Sequence, residues 1–284
     1  MPDFPIVDAH VHLADPKRFG YGWTKSAPSL NRTVLPEHLT KAAGPVKIER
    51  FVFVEVDVDL PQHLDEAVWI DGLAKADPRL QGMVAALPLE RGKAIASELE
   101  QVTRLKTLRG IRRLIQNQAD PDFCIQPQFI EGLKLLAAHD LIFDICIFHH
   151  HLPNAIKMVR QCPEVRFVLD HIAKPGIKAG IIDPWRQHMK ELAALPNVTC
   201  KISGVTTEAD HKSWTREQLK PYIAHAIDSF GFERVMYGGD WHVSELAGTY
   251  PGWVEVLDWV VEGATAAEKR KLFHDNAIRV YRLA

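Results

Sequence analysis

The amino-acid sequence predicts an α/β protein whose strands and helices alternate and close into a (β/α)8 TIM barrel, one domain over residues 1–284. Three observations carry this. Short apolar runs recur eight times along the chain. Amphipathic stretches of helical period lie between them. Most of the runs end in residues capable of chemistry, and the C-terminal strand ends are where such a barrel assembles its site.

The first run, residues 5–12, contains Ile6-Val7-Asp8-Ala9-His10-Val11-His12. Side chains two apart on a strand share a face, so His10 and His12 project together near its C-terminal end. Two imidazoles so placed can hold a divalent metal. Residues 13–38, with Pro16, Gly20, Gly22, Pro28 and Pro36, read as a long loop on the catalytic face. The second run, residues 50–57, aligns Phe51, Phe53, Glu55 and Asp57, an acidic pair able to bind hydroxyls or metal. Residues 81–87, 109–115, 141–148, 166–171, 198–204 and 234–240 complete the set. Several are nearly continuous hydrophobic runs, as strands buried on both faces are. Between them, residues 93–106 align Ile95, Leu99, Val102 and Leu105, and residues 128–139 align Phe129, Leu133, Leu136 and Ala137. Residues 216–230 align Leu219, Ile223, Ala226, Ile227 and Phe230, and a last helix is expected over 266–281. The rival is a doubly wound open sheet, but no Gly-x-Gly-x-x-Gly follows the first strand.

Arg112 lies on the fourth strand, Asp170-His171 end the sixth, Lys201 and Ser203 lie on the seventh, and Asp240 ends the eighth. Any one of these could be an ordinary polar strand end; chemistry at six of eight strands points to a shared mouth. Strand alternation turns Asp170 away from the face that carries His171. His149-His150-His151 read as loop or helix-start residues, with His151 nearest the mouth.

A net charge of −2 disfavours nucleic acid or an anionic membrane as partner. Cys124, Cys146, Cys162 and Cys200 are widely spaced, which fits reduced, buried thiols. The opening Met-Pro-Asp-Phe-Pro lacks the pattern of a signal peptide and no run of about 18 apolar residues occurs, so a cytoplasmic protein is expected. Homo-oligomerisation is left open.

These motifs carry a resemblance. The first-strand sequence Val7-Asp8-Ala9-His10-Val11-His12 resembles the signature of the amidohydrolase superfamily. Leu108-Arg109-Gly110-Ile111-Arg112, Leu169 to Pro175, Cys200-Lys201-Ile202-Ser203-Gly204 and Met236 to Trp241 resemble its sugar-lactonase branch, which holds L-fuconolactonases and L-rhamnono-γ-lactonases. Gly239 stands where that branch usually has Ser, and His242 where it has Pro. The resemblance implies hydrolysis of an aldonolactone, with Asp240 as general base and His171 and Arg112 as further catalytic groups. It implies one divalent ion, zinc, on His10, His12 and Asp240, with Glu55 or His171 as an added ligand. A metal-free version, in which His10, His12, His171 and Arg112 polarise the carbonyl, stays open. Trp23, Glu55, His151, Lys174 and Trp241 are the expected substrate contacts, although Trp23 and Trp241 could simply pack, and Lys174 and Lys201 could pair with carboxylates. The alternatives are a metal-dependent decarboxylase of an aromatic or muconate acid, a hydrolase of a dicarboxylic or sulfo-lactone, and a non-catalytic ligand-binding barrel.

Overall fold

All eight apolar runs form strands in the computed structural model, which describes residues 1–284. They are β1 (Ile6–Val11), β2 (Ile48–Val54), β3 (Leu80–Ala86), β4 (Leu108–Arg112), β5 (Ile142–Ile145), β6 (Arg166–Leu169), β7 (Val198–Ile202) and β8 (Val235–Tyr237). Each pairs in parallel with the next in chain order. The ring closes beyond β8, where the Asp240 N–H donates to the His10 carbonyl at 2.8 Å and the His12 N–H to the Trp241 carbonyl at 2.6 Å. Parallel neighbours need crossovers, and helices supply them. These are α1 (Pro36–Ala43), α2 (His63–Leu73), α3 (Ala96–Val102), α4 (Pro127–Ala137), α5 (Leu152–Gln161), α6 (Trp185–Ala193), α7 (Arg216–Phe230), α8 (Tyr250–Val260), α9 (Ala266–Arg270) and α10 (Asn276–Tyr281). The protein is a (β/α)8 barrel. No helix is long and apolar enough to cross a membrane, and the four cysteines are free and buried.

Alternation along the strands sorts the core into two parts. Phe51, Phe53, Met83, Ile111, Phe143 and Phe167 join the large cluster under the helices. Val52, Val54, Val84, Ile142, Val168 and Met236 form a smaller one inside the barrel, completed by Ala277, Val280, Tyr281 and Leu283. The C-terminal segment thus stoppers the barrel at the end away from the mouth. The helix expected over 266–281 is interrupted: a π turn at Lys271–Asp275 separates α9 from α10 and buries Leu272, Phe273 and His274.

Two local departures from strand regularity position the site. Asp8 pairs with Phe51 but Val11 pairs with Phe53, so β1 holds one extra residue there. Such a bulge re-aims side chains. Asp8 turns out to α8, where the Tyr250 hydroxyl donates to its Oδ2 at 2.7 Å, while His10 turns inward beside Lys201 and Asp170. At the second place, β6 ends at Leu169 and the chain turns left-handed, with φ of 54, 47, 60 and 47° at His171, Ile172, Ala173 and Lys174.

Candidate active site

The early imidazoles and the late carboxylate meet. His12 Nε2 lies 3.3 Å from Asp240 Oδ1, His10 Nε2 3.7 Å and His171 Nε2 3.9 Å, and His10 Nε2 is 3.2 Å from His12 Nε2. The far nitrogen of each ring is held. His12 Nδ1 donates to the Val54 carbonyl at 2.8 Å, which leaves the Nε2 lone pair facing Asp240. His171 Nδ1 pairs with Ser203 Oγ at 2.9 Å, and His10 Nδ1 lies 3.3 Å from Asp170 Oδ1 and from Lys201 Nζ. Gly204 makes room for this packing: a Cβ there would stand 2.6 Å from His171 Nδ1 and 2.9 Å from Asp240 Oδ2. Its φ of 58° also suits glycine.

Burial keeps His10 well below the ordinary imidazole value and brings His171 to about 4. Both are neutral at pH 7, the form that donates a lone pair. Burial alone would raise the Asp240 carboxyl; the surrounding imidazoles of His171, His12 and His10 outweigh it and hold the group well below the usual carboxylate range.

Beneath the cluster runs a buried network of charge. Arg112 Nε donates to Glu55 Oε1 at 2.6 Å, its Nη1 donates to Asp170 Oδ2 at 3.1 Å, and its Nη2 binds the Glu55 carbonyl. Lys201 Nζ lies 2.5 Å from Asp144 Oδ2 and 3.1 Å from Asp170 Oδ1, and the Tyr281 hydroxyl donates to Asp144 at 3.0 Å. Two cations therefore face the three carboxylates of Glu55, Asp144 and Asp170, and Asp240 adds a fourth carboxylate beside the imidazoles. That excess of negative charge suits a bound cation.

Above the floor opens a cavity of about 220 Å³, lined by His12, Arg112, His171 and Asp240 together with Trp23, Asp57, Gln116 and Lys174. It is smaller than the ~300–1,000 Å³ of drug-sized sites, and suits a ligand of one ring. Lys174 Nζ donates to Gln116 Oε1 at 2.6 Å, and the Trp23 indole N–H donates to the Val56 carbonyl at 2.7 Å.

Three expected positions stand elsewhere. Glu55 is outside both groups of potential metal donors, because Arg112 holds Oε1 and the Asp57 N–H holds Oε2 at 2.7 Å. Trp241 is 1% exposed and turns from the cavity, its indole N–H donating to Glu245 Oε1 at 2.8 Å. His151 ends the short turn His149–His151 before α5, with Nδ1 on the Phe148 backbone and its ring against His150. Asp170 also departs from expectation: the left-handed turn after β6 brings it and His171 to the same cluster. Asp144 escaped the sequence reading, although a lone acid inside the apolar stretch Leu141–Phe148 is a signal, since buried charge needs a partner.

The donor set fits a divalent ion. His10, His12 and Asp240 hold their ligand atoms within 4.8 Å of one another, as do His10, Asp170 and His171. The buried Asp170 Oδ1 has Lys201 Nζ at 3.1 Å and His10 Nδ1 at 3.3 Å, neither aligned as a hydrogen bond. Two imidazoles and a carboxylate make a catalytic zinc shell with a position left for water.

A barrel whose mouth gathers imidazoles and a carboxylate defines a class, the barrel hydrolases that activate water. The chain belongs to the amidohydrolase family, whose pattern matches residues 7–283. It is 32% identical to L-fucono-1,5-lactonase of Burkholderia ambifaria, over 98% of this chain and 95% of that protein. It is 30% identical to the enzyme of the same name from Burkholderia multivorans, over 98% and 96%. A zinc-bound crystal structure of an amidohydrolase from Burkholderia multivorans superposes with a TM-score of 0.89 at 28% identity, covering 99% of this chain and 100% of that one.

Proposed function

We propose that the protein hydrolyses the ring ester of a sugar-acid (aldono) lactone, of the L-rhamnono- or L-fuconolactone kind. One observation carries the reading: Asp240 Oδ1 converges with three imidazole Nε2 atoms at 3.3–3.9 Å on the floor of a one-ring cavity. The lactonase relatives, similar over nearly the whole chain, support an ester substrate. His10, His12 and Asp240 would hold one divalent ion, with Asp170 as a further donor; when bound, it polarises the carbonyl and acidifies water.

The chain's own residues do the rest. Asp240 accepts a proton from the attacking water as the new C–O bond forms at the carbonyl. It returns that proton to the ring oxygen as the ester C–O bond breaks, releasing the open hydroxy acid. His171, with Nδ1 accepting from the Ser203 hydroxyl, presents Nε2–H to the same point and steadies the carbonyl oxygen. Arg112 frames the floor by locking Glu55 to Asp170.

Acid release from a panel of aldonolactones, followed with a pH indicator, tests this. Wild type is expected to turn over at least one, and Asp240→Asn to lose roughly 10²–10⁴-fold in rate. A folded wild type inert on every lactone overturns it.

A further inference from the structure

The loop that follows β2 holds a carboxylate that the mechanism does not use. Asp57 lines the cavity, and no protein group donates to its carboxylate; only its backbone N–H is engaged, on Glu55. The cations nearby are taken, Arg112 by Glu55 and Asp170, and Arg113 by Glu90 at 2.7 Å. Its backbone is left-handed, with φ of 54°, a conformation that costs energy for a residue other than glycine and tends to mark functional sites. Next to it, the hydrogen bond to the Val56 carbonyl fixes the Trp23 indole against the same cavity. Lys174, the other charge free to meet a ligand, is turned onto Gln116 and lies over the Phe148 ring.

We infer that Asp57 and Trp23 form a hydroxyl-recognition subsite, which selects lactones bearing free ring hydroxyls and no second acidic group. The inference rests on the lactonase reading above. A half-buried carboxylate without donors is completed by a ligand that brings them, and vicinal hydroxyls do so. The indole offers a flat apolar face to the C–H side of a sugar ring. A lactone with a carboxylate or sulfonate would instead set like charge against Asp57, which supplies the repulsive half of the selectivity. Asp57 is thus a specificity residue.

The test compares wild type, Asp57→Asn and Asp57→Ala on three probes: a hexono-1,5-lactone, δ-valerolactone, and a γ-lactone carrying a carboxylate. Calorimetric binding of a 1,5-anhydrohexitol, which has the hydroxyls but no ester, reads the subsite apart from the reaction. The variants should lose at least tenfold in kcat/KM on the hexonolactone, chiefly through KM, and at least tenfold in anhydrohexitol affinity. On δ-valerolactone they should stay within twofold of wild type, and their discrimination against the charged lactone should narrow. Equal losses with and without hydroxyls, or no loss in anhydrohexitol binding, overturn this inference and leave the lactonase reading standing. A wild type that opens no lactone overturns both.

Discussion

Asp57 is charged at a place where folding favours the neutral acid. Burial, followed by the nearby Glu55 carboxylate, raises it to about 6, against the pull of Arg112 and Arg113; Asp59 adds to the rise. Because its pKa is higher in the folded than in the unfolded chain, the folded state holds the proton more tightly, and stability is lost as pH rises from about 4 to about 6. Asp57→Asn escapes that loss. Allowing for partial exposure, it should unfold about 1–2 kcal/mol harder than wild type at pH 7, with the difference gone below pH 4. Denaturant titrations at pH 7 and pH 4 check this. A residue that weakens the fold but is needed for substrate shows the trade between stability and activity. His12 makes a second residue-scale case. With its Nδ1 committed to the Val54 carbonyl, only Nε2 is left to bind metal. Elemental analysis should find about one divalent ion per wild-type chain and far less in His12→Asn, consistent with three protein ligands per catalytic site.

The elements that build the mouth were legible to different degrees. Every strand showed as an apolar run because both of its faces are buried, and the stripe of α7 (Leu219, Ile223, Ala226, Ile227, Phe230) is buried throughout. The β1 bulge was not legible, because pairing with β2 sets the extra residue and no local motif announces it. Nor was the turn at His171–Lys174, where tertiary packing imposes positive φ on four residues that would not choose it. The bond of Arg112 to Glu55 spans 57 positions, out of reach of any periodicity. The departure at Gly239 has a local cause: a Cβ would lie 2.4 Å from Asp8 Oδ2 and 2.7 Å from the Tyr250 ring, so the Asp8–Tyr250 pair fills the space a serine would use. Gly204 gives the sharper experiment. Gly204→Ala combines a left-handed backbone with a clash on His171, and should cost about 1–3 kcal/mol in thermal unfolding while displacing the ring and lowering activity further than stability.

At the scale of the whole molecule, the floor of the site and the stopper of the barrel are one construction. Tyr281, from the last helix, fills the barrel interior and donates to Asp144, which holds Lys201, which in turn meets Asp170 and His10. Tyr281→Phe keeps the ring but removes one donor from a buried acid, and should cost about 1–3 kcal/mol. Ending the chain at Val280 also removes the buried ring and Leu283, and should cost about 3–5 kcal/mol, as a lost large core side chain does. Chemical denaturation of both variants checks the order. Chain growth follows from this placement. A ribosome adds Tyr281 only after all eight strands, so the catalytic pocket has no finished underside until that segment has been made. Fragments released early should therefore be inert, not weakly active.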